Sequence, residues 1–142
     1  MYGKDFFESV RDALANFLPP KLRGFGSYFT SQNMKLWYDD ERKEHYEVQY
    51  IARRRVLEIG FHTEYSERAR NETVLERLLT KEETWRKTLG GSVEAGPFLG
   101  AQSGSWRRIS EVWDDVDGPD AAIEAAERLA DYIRVLEPLR TN

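Results

Sequence analysis

His45-Tyr46-Glu47-Val48-Gln49-Tyr50-Ile51, Ala52-Arg53-Arg54-Arg55, Val56-Leu57-Glu58-Ile59-Gly60-Phe61-His62: this stretch decides the fold. In its first part Tyr46, Val48 and Tyr50 alternate with His45, Glu47 and Gln49. In its last part Leu57, Ile59 and Phe61 alternate with Glu58, Gly60 and His62. Apolar residues at period two mark strands with one buried face. A one-residue slip would turn every side chain to the wrong face, so the pattern also predicts a register. It opposes Tyr50 to Leu57, Val48 to Ile59 and Tyr46 to Phe61, and, on the other face, Gln49 to Glu58, Glu47 to Gly60 and His45 to His62. A two-residue hairpin turn prefers Asn or Gly, and arginines stand here. A four-residue loop over residues 52–55 keeps the same register and is the expected connection.

Outward from this hairpin the pattern continues. Met34, Leu36 and Tyr38 alternate with Lys35 and Trp37, which predicts a preceding strand and an antiparallel meander of three. Residues 23–33, with Gly24, Phe25, Gly26, Tyr28 and Phe29, read as a loop holding at most a short strand. Before it, Phe6, Val10, Ala13, Leu14 and Phe17 recur at helical spacing until Pro19-Pro20 ends the run. After the hairpin a helix is expected over residues 66–89, with Leu75, Leu78, Glu82, Trp85 and Leu89 on one face and Gly90-Gly91 as its stop. Two strands follow, near residues 92–95 and 106–113. A last helix begins after Asp117-Gly118-Pro119-Asp120, where a capping residue and an early proline suit a helix start. Its expected stripe is Ile123, Ala126, Ala130, Ile133 and Leu129 or Leu136, and Pro138 is expected to close it. The order is α-β-β-β-α-β-β-α over residues 1–142: a single α+β domain, an antiparallel sheet with helices packed on one face.

Composition bounds the function. The absence of cysteine removes disulfides, thiolate metal sites and a thiol nucleophile. A net charge of −4 and a pI near 5.3 speak against general polyanion binding. No apolar run resembles a signal peptide or a membrane span, so a cytoplasmic protein with no membrane partner is expected.

Several features resemble a known family. They are Val56-Leu57-Glu58-Ile59, the charged helix with Asn71 and Leu75 to Leu79, Leu89-Gly90, Trp106-Arg107-Arg108-Ile109 and Val135-Leu136-Glu137-Pro138. On these, residues 56–140 resemble an uncharacterised bacterial domain found alone or at the C-terminus of restriction-endonuclease-like proteins. The resemblance implies a defence or DNA-processing neighbourhood and carries no activity. The element order also resembles the small acidic secretion-chaperone fold, which binds protein clients and dimerises, an analogy at the level of fold alone.

Three constellations are candidates for function. The polar face of the meander carries His45, Glu47, Gln49, Glu58 and His62, with Lys35 and Trp37 beside them and Glu64 two residues on. Opposed histidines with Glu47 on the diagonal are near enough to share a divalent metal, the one cofactor the sequence suggests, although a half-exposed sheet face carries polar residues in any case. These are the chain's two histidines, so any His-dependent acid–base step must use one of them. Trp37, expected on the polar face, is a candidate partner contact, or packs beneath the loop of residues 24–33 or at the sheet edge. Arg53-Arg54-Arg55 with Trp106-Arg107-Arg108 form a candidate phosphate or nucleic-acid contact, with Trp106 stacking a base; solvated turns and strand ends are the plainer reading.

Other motifs are missing. No Gly-Lys-Ser/Thr follows the glycine pairs, no Gly-x-Ser-x-Gly elbow is present, and no lysine follows Glu58 as a nuclease triad requires. The acidic run Asp114-Asp115-Val116-Asp117 lacks the spacing of a calcium loop. With no assembled catalytic motif, the sequence favours a non-enzymatic interaction module that recognises a protein partner, chaperone-like and homodimeric. The alternative is a nucleic-acid-associated accessory domain or metal-dependent hydrolase using the His45/His62 face.

Overall fold

A computed structural model describes residues 2–99, 104–114 and 118–142 of the chain. The long alternating runs form strands β3 (Glu44–Ile51) and β4 (Val56–Thr63). Their antiparallel pairing has the register that the apolar pattern requires, His45 opposite His62 and Tyr50 opposite Leu57, with Ile51 opposite Val56. Residues 52–55 make the turn, and Arg55 takes a left-handed backbone conformation (φ 55°) to close it. Strand β2 (Asn33–Trp37) pairs with β3, and β1 (Gly26–Phe29) pairs with β2. On the far side β6 (Arg107–Asp114) lies beside β4, and β5 (Glu94–Pro97) forms the edge. The result is a six-stranded antiparallel sheet in the order β1-β2-β3-β4-β6-β5.

Helices α1 (Lys4–Leu14) and α4 (Ala121–Arg140) pack together and against the apolar face. Phe7, Val10 and Leu14 from α1, and Ala125, Ala126, Leu129, Ala130, Ile133 and Leu136 from α4, join Met34, Leu36, Tyr46, Val48, Leu57, Ile59, Phe61 and Ile109 in one core. The alanines of α4 let its backbone approach the sheet, as close-packed interiors require.

The short strand allowed for within residues 23–33 is β1, whose Gly26 lies opposite Trp37. Four other expectations need correction. The single helix over residues 66–89 is two, α2 (Arg68–Leu79) and α3 (Glu82–Leu89). At the break the Leu78 carbonyl accepts both the Lys81 N–H at 3.0 Å and the indole N–H of the fully buried Trp85 at 2.9 Å. Ile123 is 51% exposed, while Ala125 and Leu129 take the buried face of α4. Pro138 lies inside α4, which runs on to Arg140; so near the C-terminus proline removes a single helical hydrogen bond, and Arg140 anchors the last turn on Glu137 and Glu44. Asp120 makes no side-chain cap, and Asp115, Val116 and Asp117 of the acidic run lie outside the described residues.

Candidate metal centre

Period-two alternation sends His45 and Glu47 of β3, and Glu58, Gly60 and His62 of β4, to the face opposite the helices. There His45 is 1% exposed and His62 fully buried, so this face is no half-solvated surface. Among the described residues, side chains of neighbouring strands and loops lie against it. The Phe98 ring meets His62 edge-on at 5.0 Å and Trp106 at 5.1 Å. Asn33 Nδ2 donates to Glu47 at 2.9 Å, and Lys35 Nζ lies 3.5 Å from Glu64.

Glu58 and His62 stand on either side of Gly60 on one strand, and Gly60 has no side chain to separate them. Its backbone also presses against β6: a Cβ there would lie 2.3 Å from the Ile109 carbonyl oxygen and 2.6 Å from Ser110 Cα.

The hydrogen bonds define which atoms remain free. His45 Nδ1 lies 2.9 Å from the Arg42 carbonyl, which can only accept, so Nδ1 carries a proton. His62 Nε2 lies 3.0 Å from Glu58 Oε2. Glu58 is itself fixed, receiving Ser110 Oγ at 2.6 Å and Gln49 Nε2 at 2.5 Å. The other nitrogens, His45 Nε2 and His62 Nδ1, turn inward to Glu47 Oε1 at 3.0 and 2.9 Å and to Glu64 Oε2 at 3.5 and 3.2 Å. One atom from each of His45, Glu47, His62 and Glu64 thus lies within 4.8 Å of the other three. With neutral imidazoles, all four present electron pairs to a common point. That point must hold positive charge.

Two added protons or one divalent ion supply the same charge. In the metal-free chain the surrounding carboxylates favour the protons. Burial is the largest influence on each group and opposes charge, but the mutual attraction prevails. The carboxylates hold His45 above the ordinary imidazole range and His62 well above it. Despite burial, the imidazoles hold Glu47 and Glu58 below the usual carboxylate range, and Glu64 at about 2.

The geometry also suits an ion. Around a tetrahedral ion with bonds of about 2.1 Å, ligand atoms stand about 3.4 Å apart. The four inward N···O pairs lie 2.9 to 3.5 Å apart, and the four atoms together within 4.8 Å. The outward nitrogens donate to a carbonyl and a carboxylate, the arrangement that orients metal-bound histidines.

The remaining candidates separate. Val56 of β4, next to the Arg53-Arg54-Arg55 turn, pairs with Asp114, whereas Thr63 at the other end pairs with Arg107. About 23 Å of strand divides the two arginine runs. Arg53 donates to the Leu99 carbonyl, and Arg54 and Arg55 are exposed. Arg107 and Arg108 are 7% and 6% exposed and already engaged, Arg107 with the Gly104 and Trp106 carbonyls, Arg108 with Pro97, Ser110 and Glu94. Trp37 is 8% exposed, with Gly26 on one side and the Arg42 guanidinium 4.5 Å from its ring.

Register reasoning brought His45, Glu47 and His62 together and placed Glu64 nearby. It did not assign Glu58 its orienting role, nor find Asn33 or Ser110. Ser110 comes from the β4–β6 pairing, for which the sequence offers no turn to count from.

No family model matches the chain, and no curated protein or solved structure matches it significantly.

Proposed function

We propose that this domain binds one divalent transition-metal ion through His45 Nε2, His62 Nδ1, Glu47 Oε1 and Glu64 Oε2, forming a centre suited to metal-assisted hydrolysis. The observation that carries the reading is the convergence of these four electron-pair donors, with each histidine's outer nitrogen tied to an acceptor. Two imidazoles and two carboxylates suit zinc, manganese or ferrous iron, and such an ion polarises an ester or acyl oxygen and lowers the pKa of bound water. Glu64 borders an open cleft, which gives substrate a side from which to approach.

This reading is preferred to the interaction module because Trp37, the aromatic that suggested a partner, is in contact with internal neighbours. Chelator-stripped protein, dialysed against zinc or manganese and analysed by mass spectrometry, should retain one equivalent of ion. His62→Ala should retain almost none. Failure of the parent protein to take up either ion would overturn the proposal.

A further inference from the structure

The cleft beside Glu64, about 330 Å³ in volume, is lined by Tyr28, Lys35, Trp37, Arg42, Lys43 and Glu64. Three cations therefore face one carboxylate in a chain whose net charge is −4. That carboxylate is shared: Glu64 Oε1 lies 3.5 Å from Lys35 Nζ in the cleft wall, while Oε2 turns to the two histidines. The backbone ties wall and centre together as well. The Arg42 carbonyl holds His45 Nδ1, and the Lys43 carbonyl accepts the Glu64 N–H at 2.8 Å.

The cations are prepared for an anion. The Arg42 guanidinium rests on the Trp37 ring, which orients a flat, two-pronged donor without neutralising it. Arg42 and Lys43 are both exposed, and among the described residues neither ion-pairs with a carboxylate. A guanidinium fork with two ammonium groups matches the tetrahedral, multiply charged oxygens of phosphate better than a single carboxylate does.

We infer that this cleft is the anion subsite of the proposed metal centre and takes the phosphate group of a small phosphate ester, held by Arg42, Lys43 and Lys35 beside the ion. The inference rests on the metal reading. It places the phosphate next to Glu64, with the remainder of the molecule directed over Tyr28, which is 58% exposed.

The test is a calorimetric titration of inorganic phosphate and of phenyl phosphate into zinc-loaded and zinc-free protein, after zinc uptake has been measured separately. Both anions should bind the loaded protein at least tenfold more tightly than the zinc-free protein. Arg42→Ala and Lys43→Ala, substitutions at the surface, should each weaken phosphate at least fivefold and leave zinc stoichiometry at one. Zinc uptake without phosphate binding, or with phosphate binding indifferent to both variants or matched by acetate, would overturn the inference and leave the metal centre standing. Absence of zinc uptake would remove the metal centre and, with it, the subsite.

Discussion

Glu58 and His62 meet across Gly60. Their Cα atoms are four residues apart on one extended strand, about 13 Å, yet Glu58 Oε2 and His62 Nε2 are 3.0 Å apart. The glycine makes this contact available, because any side chain at position 60 would share the face with Glu47, Glu58 and His62. Its bare Cα also admits the β6 backbone.

Gly60→Ala should therefore be severely destabilising for a one-methyl change. The added Cβ meets backbone, which cannot swing aside as a flexible side chain would. A loss of about 2 kcal/mol or more is expected from such overpacking, read as a shift of the denaturant midpoint. Metal retention should fall in parallel. An alanine variant as stable as the parent would contradict the contact.

Glu58→Gln keeps an acceptor for His62 Nε2 and removes the charge behind it. Orienting carboxylates of this kind typically contribute about 10- to 100-fold in metal affinity. The variant should fold, keep a stoichiometry of one, and lose zinc to a chelator at a concentration lower by about that factor. Competition with a chromophoric chelator measures it directly.

The pH dependence has a definite sign. The folded-state pKa values of His45 and His62 are raised above the ordinary 6.5, so their contribution to metal-free stability is complete below 6.5 and lost as pH rises through the raised values. Those of Glu47, Glu58 and Glu64 are depressed from 4.5, so their contribution is complete above 4.5 and lost as pH falls, for Glu64 through about 2. The cluster should stabilise metal-free protein most between 4.5 and 6.5. Zinc binds the deprotonated ligands, so its stabilising effect should grow as pH rises and its binding should release protons. Thermal melts with and without zinc across this range, and calorimetry in buffers of different ionisation enthalpy, check both statements.

Leu129 and Ile123 make a contrasting pair on α4. Leu129→Ala empties a fully buried position and should cost about 2–5 kcal/mol. Ile123→Ala alters a half-exposed one and should stay within about 0.5 kcal/mol. Equal costs would mean that α4 packs with a different rotation.

The β3–β4 register was legible because two strands of strict alternation, joined by a short loop, admit one pairing that keeps Tyr46, Val48 and Tyr50 on the side of Leu57, Ile59 and Phe61. That pairing alone brought His45 opposite His62. What the sequence did not disclose depends on third partners. Burial of the polar face depends on Phe98 and Asn33, whose positions follow from no local pattern. The break before α3 depends on Trp85 reaching the Leu78 carbonyl, a tertiary contact that helical periodicity cannot contain. Ile123 entered the expected stripe by hydrophobicity; the core instead takes the smaller Ala125 beside the expected Ala126.

The four converging atoms come from His45, Glu47, His62 and Glu64, all within or immediately beside one hairpin. The helices contribute none of them and occupy the opposite face. Chemistry and scaffold are thus separable here: α1 and α4 answer to packing and to polar contacts such as Glu137 with Tyr46, while a twenty-residue segment carries the ligands. Transplanted onto another antiparallel sheet with its glycine and an outer support for Glu58, that hairpin would take its ligand set with it.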